Sequence, residues 1–264
     1  QLSIFLNESD KLKTVKRRIK NMEKRPVVLV VMDGIGIRED KTNNAVALAN
    51  KPTLDKLWKE CPHTQLRAHG LAVGLPTDKD MGNSEVGHNA LGCGQIYSQG
   101  AKLVNENIET GEIFHSKTWK ELAENAKDSK MHFLGLLSDG NVHSNISHLK
   151  ALIKESKAEG IKEVRVHALL DGRDVPATSA LEYVDDIENF MADLNDDNFH
   201  ACIASGGGRM QITMDRYEAD WSMVERGWKI HVMGEGRQFA SATEAIETYR
   251  KETGVVRSEE HTSE

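Results

Sequence analysis

Short apolar runs that end in polar clusters are the most regular feature of the chain. Val27–Met32 runs into Asp33 and Gly34, Phe133–Leu137 into Ser138-Asp139-Gly140, Val164–Leu170 into Asp171-Gly172-Arg173-Asp174, and Ala201–Ala204 into Ser205 through Arg209. Each run is too short for a helix and rich in Val, Ile and Leu, so the pattern predicts four strands that end in polar loops. Between them, apolar residues recur at helical spacing. Leu149, Leu152 and Ile153 share one face, with Gly160 placed to stop the helix; Leu181, Val184, Ile187, Met191 and Leu194 form a longer stripe after Pro176, capped by Thr178 or Ser179. Strands alternating with helices predict an α/β fold with a mostly parallel sheet, whose ligands bind beyond the carboxyl ends of the strands. The polar clusters fall there. Trp221, Met223 and Trp228 lie near helical spacing and read as core.

The stretch Gly82–Gly100 is glycine-rich and weakly periodic, which predicts a domain change near residues 98–105. A chain of 264 residues suits one large or two small domains. Its 34 Lys and Arg stand against 41 Asp and Glu, a net charge of −7. No global cationic field therefore draws it to nucleic acid or to an anionic membrane, and an anionic ligand must be met locally. The longest apolar run, Val27–Met32, falls far short of the ~20 residues of a membrane-spanning helix. Cys61, Cys93 and Cys202 are widely spaced and form no CxxC pair, which points to a reducing, cytoplasmic compartment. Residues 11–24 are rich in Lys and Arg, carry Leu12, Val15, Ile19 and Met22 at helical spacing, and read as a flanking surface helix.

Three clusters could carry chemistry. Asp33-Gly34-Ile35-Gly36 is no dinucleotide fingerprint, because Glu39 stands where the last glycine is required. Asp33 at a strand end is instead placed either to ligate a divalent cation or to cap a turn. Ser84 lies between Gly82 and Gly87, but the GxSxG elbow of hydrolases needs its second glycine two residues after the serine. Ser84 is therefore either a nucleophile that needs activation by a base or a metal, or a helix cap. His143, Arg173, Asp174, Arg209 and Arg216 make up the third set. Arginines beside glycine-rich turns offer planar forks for phosphate and carboxylate, although any one of them could be a surface ion pair.

Five segments in series, VVLVVMDGIG at 27–36, MGNSEVGHNALG at 81–92, SDGNVHSN at 138–145, LLDGRDVP at 169–176 and GGGRMQITMDRYEADW at 206–221, resemble the cofactor-independent phosphoglycerate mutase family. The resemblance implies an alkaline-phosphatase-like domain, incomplete here and begun by residues 25–100, with an inserted α/β domain over 101–256. Residues 1–24 would flank it, and 257–264 have no counterpart in the family. It also implies interconversion of 3-phosphoglycerate and 2-phosphoglycerate through a phosphoserine, with two divalent metal ions, commonly Mn2+ with Mg2+ or Co2+ as alternatives, and no 2,3-bisphosphoglycerate cofactor. Ser84 would be the nucleophile and, with Asp33, a metal ligand; His143, Arg173, Asp174, Arg209 and Arg216 would hold the substrate. Family members are about twice as long, monomeric, and carry their remaining metal ligands in a second half. On that basis the chain is expected to be an incomplete enzyme, and residues 25–100 are expected to expose apolar surface and unpaired edges. A phosphoglycerate-binding module without catalysis and another phosphomutase of the same superfamily are the alternatives.

Overall fold

The computed structural model describes residues 2–5, 26, 28–32, 35–214 and 220–257. They fall into two compact units, residues 1–68 and 69–264. Asp33, Arg216 and the predicted helix over 11–24 lie outside the described residues, as do residues 258–264 of the tail.

In the first unit β1 (Leu2–Phe5) pairs antiparallel with β2 (His63–Leu66), Leu2 opposite Leu66 and Phe5 opposite His63. Between them lie α1 (Ala45–Leu48), capped by Asn44 accepting from the Ala47 amide, and α2 (Pro52–Glu60), with proline at its first position. None of the residues described between 26 and 68 is buried. The strand predicted over Val27–Met32 is not formed: residues 28–32 are irregular, with Val28 82% exposed. An apolar run becomes a strand only when neighbours take up its backbone hydrogen bonds, and β1 and β2 pair with each other. The expected exposure of apolar surface in this segment is observed.

The second unit opens with a 3-10 turn at Gly70–Val73, followed by α3 (Ser84–Cys93), α4 (Gly100–Glu109), α5 (Glu112–His115) and α6 (Lys117–Ala126). A βαβαβ series comes next: β3 (Met131–Leu137), α7 (Ile146–Ala158), β4 (Glu163–Leu170), α8 (Ala180–Leu194) and β5 (His200–Gly208). The three strands are parallel in the order β3-β4-β5. The chain closes with α9 (Trp221–Trp228), a π-helical turn at Lys229–Met233, and α10 (Ala242–Thr253).

Alternation along β4 sorts the core. Val164, Val166, Ala168 and Leu170 face Ile146 and Ile153 of α7 and Val184, Ile187 and Met191 of α8 in one buried cluster. Leu169 points the other way, to Leu136, Ile212 and Ile230. Each buried aliphatic side chain contributes about 1.5–3 kcal/mol, so the larger cluster dominates this unit's stability. The predicted helical faces and the Gly160 stop are as observed: Gly160 adopts φ +84° just past the end of α7. Ser179 caps α8 by position only, since its hydroxyl donates to the Pro176 carbonyl at 2.8 Å.

Two expectations fail here. Glycines 206–208, read as loop, extend β5, and a Cβ on Gly206 would sit 2.9 Å from the Ala168 carbonyl oxygen. Glycine lets β5 approach β4 where any side chain would block it. Trp221 and Trp228, read as core, are 65% and 62% exposed, whereas Met223 is buried as expected. The inner face of α9 is set by Gly227, whose missing side chain leaves room for Thr213, and the tryptophans fall on the opposite face.

A polar chain crosses the second face of the sheet. An irregularity after Val166 sets Ser205 rather than Ala204 opposite His167. His132 Nδ1 lies 2.8 Å from His167 Nε2, His167 Nδ1 lies 2.6 Å from Ser205 Oγ, and Ser205 Oγ lies 2.7 Å from His231 Nδ1. Burial, with the nearby His231 and His132 as lesser causes, lowers the His167 pKa to about 4.

Candidate functional site

The loops after β3, β4 and β5 converge on one buried carboxylate, Asp171, at the carboxyl ends of the strands. Its Oδ1 accepts the backbone amides of Gly172 at 2.8 Å, Arg173 at 3.0 Å and Asp174 at 3.2 Å, and Arg209 Nη1 at 3.0 Å. Its Oδ2 accepts the Ser138 hydroxyl at 2.7 Å. Burial by itself would raise the Asp171 pKa, but these donors outweigh it and hold the carboxyl below its usual range. Arg209 donates a second bond, to Asp174 Oδ2 at 2.7 Å. Burial opposes its charge, yet Asp174 and Asp171 hold it more firmly protonated. The Arg209 Nε is buried with no hydrogen-bond partner among the described residues.

Around this buried pair stand exposed groups. His143 Nε2 lies 4.0 Å from Asp174 Oδ2, and Arg173 directs one guanidinium nitrogen to the Met210 sulfur at 3.3 Å. Arg173 has no carboxylate partner among the described residues, so its charge is available to an anion. Gly140 lets the loops close up, since a Cβ there would sit 2.8 Å from Asp174 Cβ. The structure thus brings together four of the expected residues: His143, Arg173, Asp174 and Arg209. It adds Ser138 and Asp171, which the sequence reading did not single out. The signal for Asp171 was its place at the head of an Asp-Gly-Arg-Asp turn, where an aspartate folds back on its own amides.

The hydrogen bonds of Ser84 among the described residues run to His88 and not to this cluster. Ser84 is the first residue of α3, and the cap is Asn83, whose Oδ1 accepts from the Val86 amide at 2.9 Å. The capping alternative for Ser84 therefore falls to its neighbour. Ser84 Oγ lies 3.1 Å from His88 Nδ1, but that nitrogen also lies 2.6 Å from the Ser84 carbonyl oxygen. A nitrogen donating its proton to the carbonyl cannot accept one from the hydroxyl, so His88 is not positioned as a base.

Among the described residues no group of three or more His, Cys, Asp or Glu side chains could hold a metal ion. No helix among them is long and apolar enough to cross a membrane. A cavity of about 430 Å3 opens beside β5, lined by Ile203, Gly234, Phe239 and Tyr249 among others; none of its walls belongs to the polar cluster.

Comparison with known proteins gives a consistent answer. The family described as "BPG-independent PGAM N-terminus" matches residues 104–260. The chain is 55% identical over 232 residues to a Leptospira interrogans protein named "Probable 2,3-bisphosphoglycerate-independent phosphoglycerate mutase", covering 86% of this chain and 42% of that one. It is 50% identical over 236 residues to the 2,3-bisphosphoglycerate-independent phosphoglycerate mutase of Trypanosoma brucei brucei, covering 88% of this chain and 43% of that one. A crystal structure of Leishmania mexicana phosphoglycerate mutase at low cobalt concentration superposes with a TM-score of 0.77 at 48% identity, over 91% of this chain and 44% of that one. The chain spans about two fifths of the length of the curated relatives it matches.

Proposed function

Because the chain belongs to the BPG-independent phosphoglycerate mutase family, we propose that its polar cluster binds phosphoglycerate and serves the interconversion of 3-phosphoglycerate and 2-phosphoglycerate. The observation that carries this reading is Arg209, buried and held by Asp171 and Asp174 beside the exposed Arg173 and His143. Arg173 and His143, joined by Arg216 on this reading, supply donors for a phosphate and a carboxylate. Arg209 and Asp171 fix the loop geometry, and Asp174 is placed to accept a substrate hydroxyl. The phosphoryl group passes from the 3-oxygen to Ser84 and back to the 2-oxygen of the same glycerate. The net reaction is an isomerisation that consumes no second substrate.

Residues 25–100 belong on this reading to an alkaline-phosphatase-like domain and residues 101–256 to an inserted α/β domain. In support, all three parallel strands lie within the latter range and the family match begins at residue 104. Two divalent ions, Mn2+ foremost and Asp33 and Ser84 among their ligands, belong to the same reading. The described residues by themselves do not supply such a site. The protein would act in the cytoplasm on a small-molecule substrate, without nucleic acid or membrane partners, and as a monomer in its full-length form. A binding role without turnover is the second reading, favoured by the lack of a positioned base at Ser84.

Calorimetric titration of the chain with 3-phosphoglycerate tests the binding, and a coupled mutase assay with Mn2+ separates the two readings. Saturable binding is expected, weakened at least about tenfold by Arg173→Ala, the loss of about 1.4 kcal/mol that one charge-assisted hydrogen bond supplies. An unchanged affinity in that variant would sink the assignment. Turnover abolished by Ser84→Ala would favour the mutase over the binding module.

A further inference from the structure

Asp80 is nine-tenths buried and no Lys, Arg or His lies against it as an ion-pair partner among the described residues, yet its carboxylate is fully engaged. Oδ2 accepts the Thr77 amide at 2.6 Å and the Thr77 hydroxyl at 2.8 Å, which closes the turn over residues 77–80. Oδ1 accepts Nδ2 of Asn141 at 2.6 Å, a partner 61 residues further along the chain. Asn141 holds φ +60°, a left-handed conformation that asparagine tolerates better than most residues with a side chain. Glycine would take that backbone more easily, so a carboxamide is kept there for what it bonds. Its Oδ1 accepts Nδ2 of Asn145 at 2.6 Å, and Asn145 Oδ1 in turn caps α7 at the Ser147 amide at 2.8 Å. One hydrogen-bonded line therefore runs from Thr77 through Asp80, Asn141 and Asn145 to the first turn of α7.

The position of this line gives it a use. Four residues beyond Asp80 is Ser84, and two beyond Asn141 is His143, which faces Asp174. We propose that Asp80 and Asn141 form a clasp that sets the His143 loop against the segment bearing Ser84, as positioning residues for phosphoglycerate. The proposal rests on the function assigned above. A neutral donor meeting a buried carboxylate makes a stronger hydrogen bond than two neutral groups do, and it costs less desolvation than a buried ion pair, which suits a joint that must hold position.

The polarity of the line makes it testable by exchange of its members. In Asp80→Asn the new amide nitrogen meets the Asn141 nitrogen, and Asn141 cannot flip without presenting its nitrogen to Asn145, whose orientation the α7 cap fixes. In Asn141→Asp two carboxylates face each other. The double variant Asp80→Asn/Asn141→Asp restores every contact, with donor and acceptor reversed only between positions 80 and 141. The carboxamide oxygen introduced at position 80 still serves Thr77, and the carboxylate introduced at position 141 still accepts from Asn145.

Each variant of the chain is titrated with 3-phosphoglycerate, and amide hydrogen exchange of residues 142–144 is followed without ligand. Both single variants are expected to weaken binding about tenfold and to speed exchange in that loop, and the double variant is expected to recover both to within about twofold. Single variants that bind and exchange like the parent overturn the clasp, as does a double variant no better than the singles. Should the parent chain bind no 3-phosphoglycerate, the assigned function fails. The clasp is then decided by exchange alone, where loss in the singles with recovery in the double supports it and unchanged exchange overturns it.

Discussion

Two short segments built around valine and leucine meet opposite fates in this molecule. Val164–Leu170 lies between two parallel strands with helices packed against it, and Val164 is fully buried. Val28–Met32 is richer in valine, three of its five residues against two of seven, yet it is irregular, with Leu29 and Val30 each 72% exposed. The difference is in the neighbours. β4 gives its amides and carbonyls to β3 on one side and β5 on the other, while among the described residues of the first unit no strand takes up those of residues 28–32. Strand propensity in the side chains is common to both and decides nothing without lateral pairing.

That contrast can be broken first by charge. Val164→Asp is expected to remove at least about 4 kcal/mol or to prevent folding, because the carboxylate would enter a cluster with no donor to meet it. Val30→Asp should stay within about 0.5 kcal/mol. Urea unfolding of the two variants measures both, and equal losses would refute the assignment of the core to the sheet. Next in size is Asp171→Ala, which leaves Arg209 with Asp174 as its one remaining counter-charge among the described residues, deprives the Ser138 hydroxyl and three loop amides of their acceptor, and should cost about 3 kcal/mol by the same measurement. A loss under about 1 kcal/mol would show that the hub is not buried as described.

A smaller effect concerns pH. The His167 pKa near 4 lies below the value near 6.5 that the unfolded chain would show, so between these limits the unfolded state binds a proton that the folded state refuses. Stability should therefore fall as pH drops from about 6.5 towards 4, with a slope of up to about 1.4 kcal/mol per pH unit from this group. Thermal melts of the chain and of His167→Gln across that range provide the check; the variant should show the shallower dependence. Smallest of all is Trp228→Ala, within about 0.5 kcal/mol despite the size of the side chain, against about 2 kcal/mol for Met223→Ala on the buried face of the same helix.

The parts of the fold legible in the sequence are those whose signals are local. The central runs of β3 and β4, the faces of α7 and α8, and the glycine stop at 160 follow from spacing and from the conformations those residues favour. Glycines 206–208 misled because their role depends on Ala168, a residue on another strand. Trp221 and Trp228 misled because hydrophobicity suggests a buried face, but Gly227 and Thr213 decide which face of the helix packs. At the site, exposed His143 and Arg173 were visible as chemistry-bearing residues in polar loops. Asp171 was less so, because its importance lies in five donors drawn from three loops, and no stretch of sequence contains them together.

The placement of the tryptophans gives the molecule an uneven optical signature. Of the four, Trp119 is buried and donates its indole N–H to Glu159 at 3.3 Å, whereas Trp58, Trp221 and Trp228 face solvent. A water-soluble quencher such as iodide will therefore reach three emitters in the native protein and leave one. The change in emission colour on unfolding will come chiefly from Trp119 and so report the loss of packing at the end of α7, while events in residues 26–68 are left to the intensity of Trp58, which stacks on His63.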